Sequence, residues 1–377
     1  MIKLPIYFDY AATTPVDSRV AEKMSRYLTQ DVDFGNAASS HVFGQNAKRA
    51  VDDARGKVAN LISAEPREIV WTSGATESNN LALRGVASLY QRKGTHIVTV
   101  KTEHPSVIEC CQQLEKEGFS VTYLSPEKNG LLDLDKFQQA LRPDTILASI
   151  MHVNNETGII QDIAAIANIT SSRGILFHVD AVQSAGKIPI DLGDMSIDLM
   201  SFSAHKVYGP KGMGALYVRA KPRVRVAPLI LGGGQEMGMR SGTLPTHQIV
   251  GMGEAFAIAK SEMTDETSNI KKLRDHLWQR ISSAQSLLLN NDFKFSVPHI
   301  INLRIKGIKA EKIIESMPEI AISAGSACQS KGIEPSYVLR AMGLSHEEAE
   351  GSIRISLGRF STKEQVDYLV DRLIKAN

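Results

Sequence analysis

Cysteine is scarce: Cys110, Cys111 and Cys328 are the only three in 377 residues. Three thiols cannot build a disulfide framework, and so small a number fits a reducing compartment, which makes the cytoplasm the expected location. A dominant sign of charge is also missing. Lys plus Arg number 43 against 41 Asp plus Glu, a formal net charge of +2. That balance gives no whole-chain field for a polyanion, and direct nucleic-acid binding is not expected. No run of about 18 apolar residues occurs, so no membrane-spanning helix is expected. The start, MIKLPIYFD, has neither a long apolar core nor a small-residue cleavage site, and no signal peptide is expected. Internal repeats, low-complexity tracts and long Pro/Gly/Ser linkers are absent. What is there is a chain 43% hydrophobic and 22% charged, ordinary for a globular protein and long enough for about two to three domains.

Short β-branched runs alternate with helical lengths. Glu68 to Thr72, His96 to Val100, Ser120 to Leu124, Thr145 to Ile150, Ile175 to Val179, Leu199 to Phe202 and Ala215 to Val218 read as strands. Strands spaced by helices predict an α/β fold whose mainly parallel sheet is covered on both faces. Ligands of such sheets sit beyond the carboxyl ends of the strands, so the polar residues just after each run are the ones to examine. From about Thr264 the texture changes. A charged amphipathic helix is expected over Glu266 to Ile281, then strands His299 to Arg304, Ile320 to Ser323 and Ser352 to Ser356, with a helix near Ala310 to Ser316. This predicts a smaller α/β unit.

Three strand ends carry chemistry. Ser73-Gly-Ala-Thr-Glu77 places free backbone N–H groups and the Thr76 hydroxyl at a helix start, a ready anion site. It reads equally as an ordinary loop with Thr76 as N-cap. Asp180, in HVDAVQ, can hold a protonated ring nitrogen by a charge-assisted hydrogen bond, or can cap a helix. Lys206, in SFSAHK, can form a Schiff base with an aldehyde if its surroundings favour the neutral amine; a solvated loop lysine is the plain alternative. Taken in order, anion loop, Asp and Lys suit pyridoxal phosphate: phosphate on the loop, ring nitrogen on Asp180, aldehyde on Lys206.

The stretches FDYAATTPVD, TSGATESNN, KTEHPSV, MHVNNETG, HVDAVQS, SFSAHKVYGPKG, RSGTLP, SAGSAC and IRISLGR, spanning residues 8 to 360, resemble those of the class V, fold-type I pyridoxal-phosphate enzymes, most closely the NifS/IscS-type cysteine desulfurases, and stand in the family's order. The resemblance implies a large cofactor-binding domain over 16–264 with a mainly parallel seven-stranded sheet. It also implies a small domain from 1–15 and 265–377 carrying the catalytic-cysteine loop. Lys206 resembles the lysine that binds the cofactor aldehyde, Asp180 the pyridinium partner, Gln183 the donor to the ring hydroxyl, and His104 the residue stacked on the ring that also moves protons. Ala75, Thr76, Ser203 and His205 resemble the phosphate ligands, and Thr243 the residue that reaches the phosphate of a neighbouring subunit in a homodimer. Asn155 and Arg354 resemble the groups at the substrate carboxylate, with Asn155 also beside the cofactor. No metal is implied.

Cys328, in Ser-Ala-Gly-Ser-Ala-Cys328-Gln-Ser-Lys-Gly, lies among small polar residues that read as an exposed mobile loop. The resemblance makes it the nucleophile that takes sulfur from L-cysteine as a persulfide, leaving L-alanine. The persulfide is then passed to acceptor and iron–sulfur scaffold proteins, for cluster assembly and tRNA thiolation. Selenocysteine lyase and aminotransferase-like members of the same class are the alternatives. Cys110 and Cys111 fall in a helical pattern, Pro105 to Glu117, and read as structural. Arg219, Lys221, Arg223 and Arg225 form a basic cluster, a solvated face by default and in this family a dock for acidic partners. Some longer members carry a further C-terminal segment for scaffold docking beyond the position of Asn377.

Overall fold

A computed structural model describes residues 2–30, 33–324 and 335–376. Seven strands form the main sheet, in the order Ile69–Thr72, Gly214–Val218, Leu199–Ser203, Leu176–Asp180, Thr145–Ser149, His96–Val100, Ser120–Leu124. Only Gly214–Val218 runs against its neighbours; the other pairings are parallel. The expected mainly parallel seven-stranded sheet is therefore present. Alternate side chains feed two separate cores. Val98, Ala148, Phe177, Met200, Phe202 and Ala215 pack on one face with Trp71, Phe137 and Phe256. Ile97, Leu147, Leu199 and Leu216 pack on the other with Leu81, Leu83, Val86, Val107 and Cys111. Burial on both faces accounts for the continuous apolar runs that made these strands readable.

A second unit holds a four-stranded antiparallel sheet in the order Ser323–Ala324, Ser352–Ser356, Ile300–Ile305, Leu287–Leu289. Its core gathers Ile301, Leu303, Ile353, Ile355, Leu369 and Leu373, and also Ile6 and Phe8 from the start of the chain. Ile6–Tyr7 pairs in parallel with Ile320–Ala321. The single strand expected over Ile320 to Ser323 is thus two short ones serving different sheets, because the chain turns at Ile322 from one partner to the other.

The helix expected from Glu266 begins twenty residues earlier, running Thr246–Ile281 over 36 residues, about 54 Å at 1.5 Å per residue. Its first half is apolar and small on the side that meets helix Val42–Leu61. A Cβ on Gly253 would stand 2.6 Å from Ala54 Cα, so only glycine permits that crossing. Ile249, Met252, Phe256 and Ala259 belong to the first core, Ile270, Leu277 and Ile281 to the second. One rigid rod therefore joins the two packing units. Among the described residues no helix is long and apolar enough to cross a membrane.

His178 lies at the centre of the main sheet, with no exposed surface, between Ser149 Oγ (2.8 Å) and Ser201 Oγ (2.9 Å). Burial pushes its imidazole down to about 3. The unfolded chain takes up this proton below about pH 6.5, the native state does not, so acid favours unfolding at this site. At pH 5 the contribution is about 2 kcal/mol. The unfolding free energies of wild type and His178→Gln, measured at pH 7.5 and pH 5, should differ by that much less at the lower pH. An unchanged difference would show that His178 already titrates normally in the fold.

Candidate active site

A cavity of about 560 Å³ opens at the carboxyl edge of the main sheet. Its walls bring together Ala75, Thr76, His104, Asn155, Asp180, Gln183, Ser203, His205, Lys206 and Arg354, residues drawn from both packing units. Each arrives by a local rule. Asp180 is the last residue of Leu176–Asp180, and Ser203 the last of Leu199–Ser203, after which Ala204–Lys206 forms a 3-10 turn. His104 is the N-cap of Pro105–Lys116, and Asn155 follows Thr145–Ser149 in the turn that leads back to Ile159. Arg354 comes from the antiparallel sheet, on Ser352–Ser356.

The anion loop differs from the simple capping alternative. Gly74, not Thr76, is the N-cap of Ala75–Tyr90; its φ of 152° suits glycine, and no side chain caps the helix. The first-turn amides of a 16-residue helix thus open toward the cavity beside the exposed Thr76. Glu77, in the same turn, accepts from Ser73 N (2.7 Å) and is held by Arg240 Nε (2.9 Å), which keeps its carboxyl below the usual range despite partial burial.

Lys206 Nζ donates to the carbonyls of Ala11 and Ala12, both at 2.6 Å. Gln183 Nε2 donates to Ala11 O (2.8 Å), and its Oε1 accepts from Lys187 Nζ (3.1 Å). His205 Nδ1 pairs with Thr13 Oγ1 (3.1 Å). Burial, with the positive charges of Lys206, Lys211 and Lys187, pushes His205 down to about 4. Burial also lowers His104, against the pull of Asp180. Both imidazoles are therefore neutral near pH 7. Asp180 accepts from Asn79 Nδ2 (2.8 Å) and from Val182 N (3.0 Å). Arg354, 4% exposed, donates to Asp9 Oδ1 (2.7 Å) and Asn155 O (2.9 Å).

Pyridoxal phosphate fits this set. The uncapped helix start suits a phosphate, and a buried carboxylate faces the cavity with a hydrogen-bonding partner behind it. Arg354 Nε and Asn155 Oδ1 are buried with no partner among the described residues, as expected where a polar guest would complete the bonding. Thr243 is exposed and does not line this cavity. Cys328 lies outside the described residues. Cys110 and Cys111 are buried in the helix core, and burial raises both thiols, Cys110 to about 11. Thiols held protonated there are poor nucleophiles.

Several polar residues at the site gave no signal in the sequence. Glu103 is fully buried, its carboxyl pushed well up by burial and by Asp180, with Oε1 accepting from Met151 N (2.5 Å). Lys187 is pushed down to about 7 by burial, then by Lys206 and Arg354. Asn79 and Ser106 stand behind Asp180 and His104. The run Asp9 to Thr14, part of the FDYAATTPVD stretch, supplies carbonyls and hydroxyls whose partners the sequence did not indicate.

A family model for aminotransferase class-V matches residues 6–369. The chain is 59% identical over 376 residues to a cysteine desulfurase IscS of Photorhabdus laumondii, covering 100% of this chain and 93% of that one. A solved NifS-like protein superposes with a TM-score of 0.92 at 36% identity, covering 98% of both chains. The structure of SspA in complex with cysteine superposes with a TM-score of 0.84 at 40% identity, covering 95% of this chain and 100% of that one.

A Cβ on Gly214 would sit 2.6 Å from Gly74 Cα and 2.7 Å from Phe202 O. Gly214→Ala should therefore push the anion loop off its place and weaken pyridoxal-phosphate binding at least tenfold. Equilibrium dialysis of the cofactor-depleted protein against pyridoxal phosphate would measure this; unchanged affinity would remove the loop from the phosphate site.

Proposed function

The chain belongs to the aminotransferase class-V family, and we propose that it works there as a NifS/IscS-type, pyridoxal-phosphate-dependent cysteine desulfurase. The observation that carries this reading is the meeting of Lys206, Asp180, His104 and Arg354 in one cavity, with an uncapped helix start beside them. Pyridoxal phosphate, when bound, supplies an aldehyde that takes up an amine and a ring that accepts the electron pair of a broken Cα–H bond. Ala75, Thr76, Ser203 and His205 would hold its phosphate, Asp180 its ring nitrogen, Gln183 its ring hydroxyl, Asn155 and His104 its ring, and Lys206 its aldehyde.

The chain's own groups then divide the work. Arg354 grips the carboxylate of L-cysteine and, with Asn155, fixes which bond at Cα lies across the ring. Lys206, displaced by the substrate's amine, is the base for the Cα proton; its two carbonyl partners hold Nζ at that edge of the cavity. His104 is neutral and moves protons at the ring face. The Cys328 thiolate forms an S–S bond to the substrate sulfur as the Cβ–S bond breaks. The electron pair stays with the substrate carbon, which takes up protons and leaves as L-alanine. Cys328 keeps the sulfur as a persulfide for acceptor proteins of iron–sulfur cluster assembly and tRNA thiolation. Lys221, Arg223 and Arg225 are exposed and offer a basic face to such partners, whereas Arg219 is spent on the carbonyls of Met195 and Ile197.

In this reading Cys328→Ser abolishes alanine formation from L-cysteine yet retains the visible absorption band. Lys206→Ala yields no pyridoxyl adduct at position 206 after borohydride trapping and mass spectrometry. A Cys328→Ser variant with full turnover would overturn the nucleophile, and a wild-type chain without the adduct would overturn the whole assignment.

The working unit in this reading is a cytoplasmic homodimer with residues 16–264 as its cofactor domain. Leu229, Ile230, Leu231 and Met237 are 40%, 42%, 81% and 58% exposed in a single protomer. An apolar run of this kind favours a covering surface. It belongs to the same stretch as the exposed Thr243, which a partner would bring to its phosphate. Leu231→Asp should give monomers in light scattering and a lower cofactor content; a stable dimer in that variant would place the interface elsewhere.

A further inference from the structure

Asn79 lies on the inner face of helix Ala75–Tyr90 and has no exposed surface. Its Nδ2 is 2.8 Å from Asp180 Oδ2 and 2.9 Å from Ser106 Oγ. Ser106 Oγ is in turn 2.8 Å from His104 Nδ1, and Ser106 N reaches the same ring nitrogen at 3.1 Å. These contacts form one unbroken chain from Asp180 to His104.

The direction of that chain follows from donor inventory. An ionised carboxylate only accepts, so the Asn79 atom facing Asp180 is the amide nitrogen, and the amide orientation is forced. The second amide hydrogen goes to Ser106 Oγ. A serine hydroxyl has one hydrogen to give, and its remaining near neighbour is His104 Nδ1. Main-chain N–H and hydroxyl thus both donate to Nδ1, and that nitrogen carries no proton. The ring is neutral, so its proton sits on Nε2. Asn79 Oδ1, meanwhile, is buried without a partner among the described residues. An amide kept in a dry place with its oxygen unpaired marks the NH2 end as the end in use.

We propose that Asn79 is a positioning residue: it divides its two amide hydrogens between Asp180 and Ser106, turns the Ser106 hydroxyl onto His104 Nδ1, and so sets His104 as the Nε2–H tautomer. The partner of the ring nitrogen and the histidine at the ring face then belong to one directed hydrogen-bond chain. His104 enters the reaction able to give a proton from Nε2 before it can take one there. That consequence for catalysis rests on the desulfurase reading; the tautomer itself does not.

The test uses full-length protein labelled with 15N-histidine, as purified and again after removal of pyridoxal phosphate, with His104 assigned through its loss in His104→Gln. Wild type should show a protonated, pyrrole-like Nε2 and an acceptor-like Nδ1 in both states. In Asn79→Ala and in Ser106→Ala the Nδ1 resonance should move by more than its line width, as an acceptor nitrogen does on losing a hydrogen bond. Asn79→Ala should also lose about tenfold in kcat with KM for L-cysteine changed less than twofold. A wild-type Nδ1–H ring, or an Nδ1 resonance unmoved in both variants, overturns the proposal. Should Asn79→Ala fail to fold, Ser106→Ala alone decides it. A protein that makes no alanine from cysteine would sink the desulfurase reading and leave the NMR result standing.

Discussion

The polar groups of the cavity are tied to one short turn of chain, Asp9 to Thr14. Its carbonyls at Ala11 and Ala12 accept from Lys206, and Ala11 also accepts from Gln183. Asp9 holds Arg354, and Thr13 holds His205. The same stretch is sewn to the second unit by Ala11 N to Ser356 Oγ (2.9 Å) and to the main sheet by Thr14 N to His205 O (2.9 Å). A carbonyl cannot shift for one donor without shifting for the other. The lysine amine and the glutamine amide are therefore positioned relative to one another by main chain, which has far less freedom than side chains do, and the arginine fork is held by the side chain of Asp9 in the same turn.

That clasp concentrates cationic groups where few acids answer them. Asp9 pairs with Arg354, Asp180 shares the cavity lining with Lys206, and Glu103 is driven toward its neutral form by burial and by Asp180. Additional positive charge is resisted: His104 and His205 stay neutral, and Lys187 is pushed down to about 7. In a cavity of low effective dielectric such a surplus is costly when nothing anionic is present. In the proposed function a phosphate at the helix start and a carboxylate at Arg354 would relieve it at two separate points, and the same electrostatic condition would favour both parts of the bound complex.

The main sheet was legible because its strands are buried on both faces and so read as continuous β-branched runs. The residues at its carboxyl edge were legible because topology sends every such end to the same rim. Lys206 and Asp180 could be named for that reason, whereas His104 and Arg354, the latter on the other sheet, could be named only through the resemblance of the motifs around them. What escaped had a physical cause in each case. Asn79 and Ser106 carry no local mark, since only the three-dimensional approach of two helices makes them a chain. Lys187 is one of many lysines in the sequence, and nothing local marks its burial. The first half of Thr246–Ile281 hid because its small residues serve helix crossing and blur the amphipathic pattern.

The frame just described is general to an electron-sink cofactor; what directs it to sulfur must come from elsewhere, and the anchoring of residues 325–334 bears on that. The described chain stops at Ala324, on a strand whose Ser323 is the register partner of Arg354. It resumes at Pro335, and Ser336 Oγ donates at once to the buried Glu156 (2.5 Å), next to Asn155. Tyr337 Oη donates to Glu103 O (2.5 Å), next to His104. Glu156 is itself pushed up to about 7 by burial, with the Ser336 hydroxyl opposing that rise. Both flanks of this segment are therefore fixed on residues adjoining the cavity, one on the neighbour of Asn155 and one on the neighbour of His104. Those attachments are made through Ser, Tyr and Glu side chains and a main-chain carbonyl. In the proposed function the segment that carries the nucleophile is thereby tied to the same residues that adjoin the cavity.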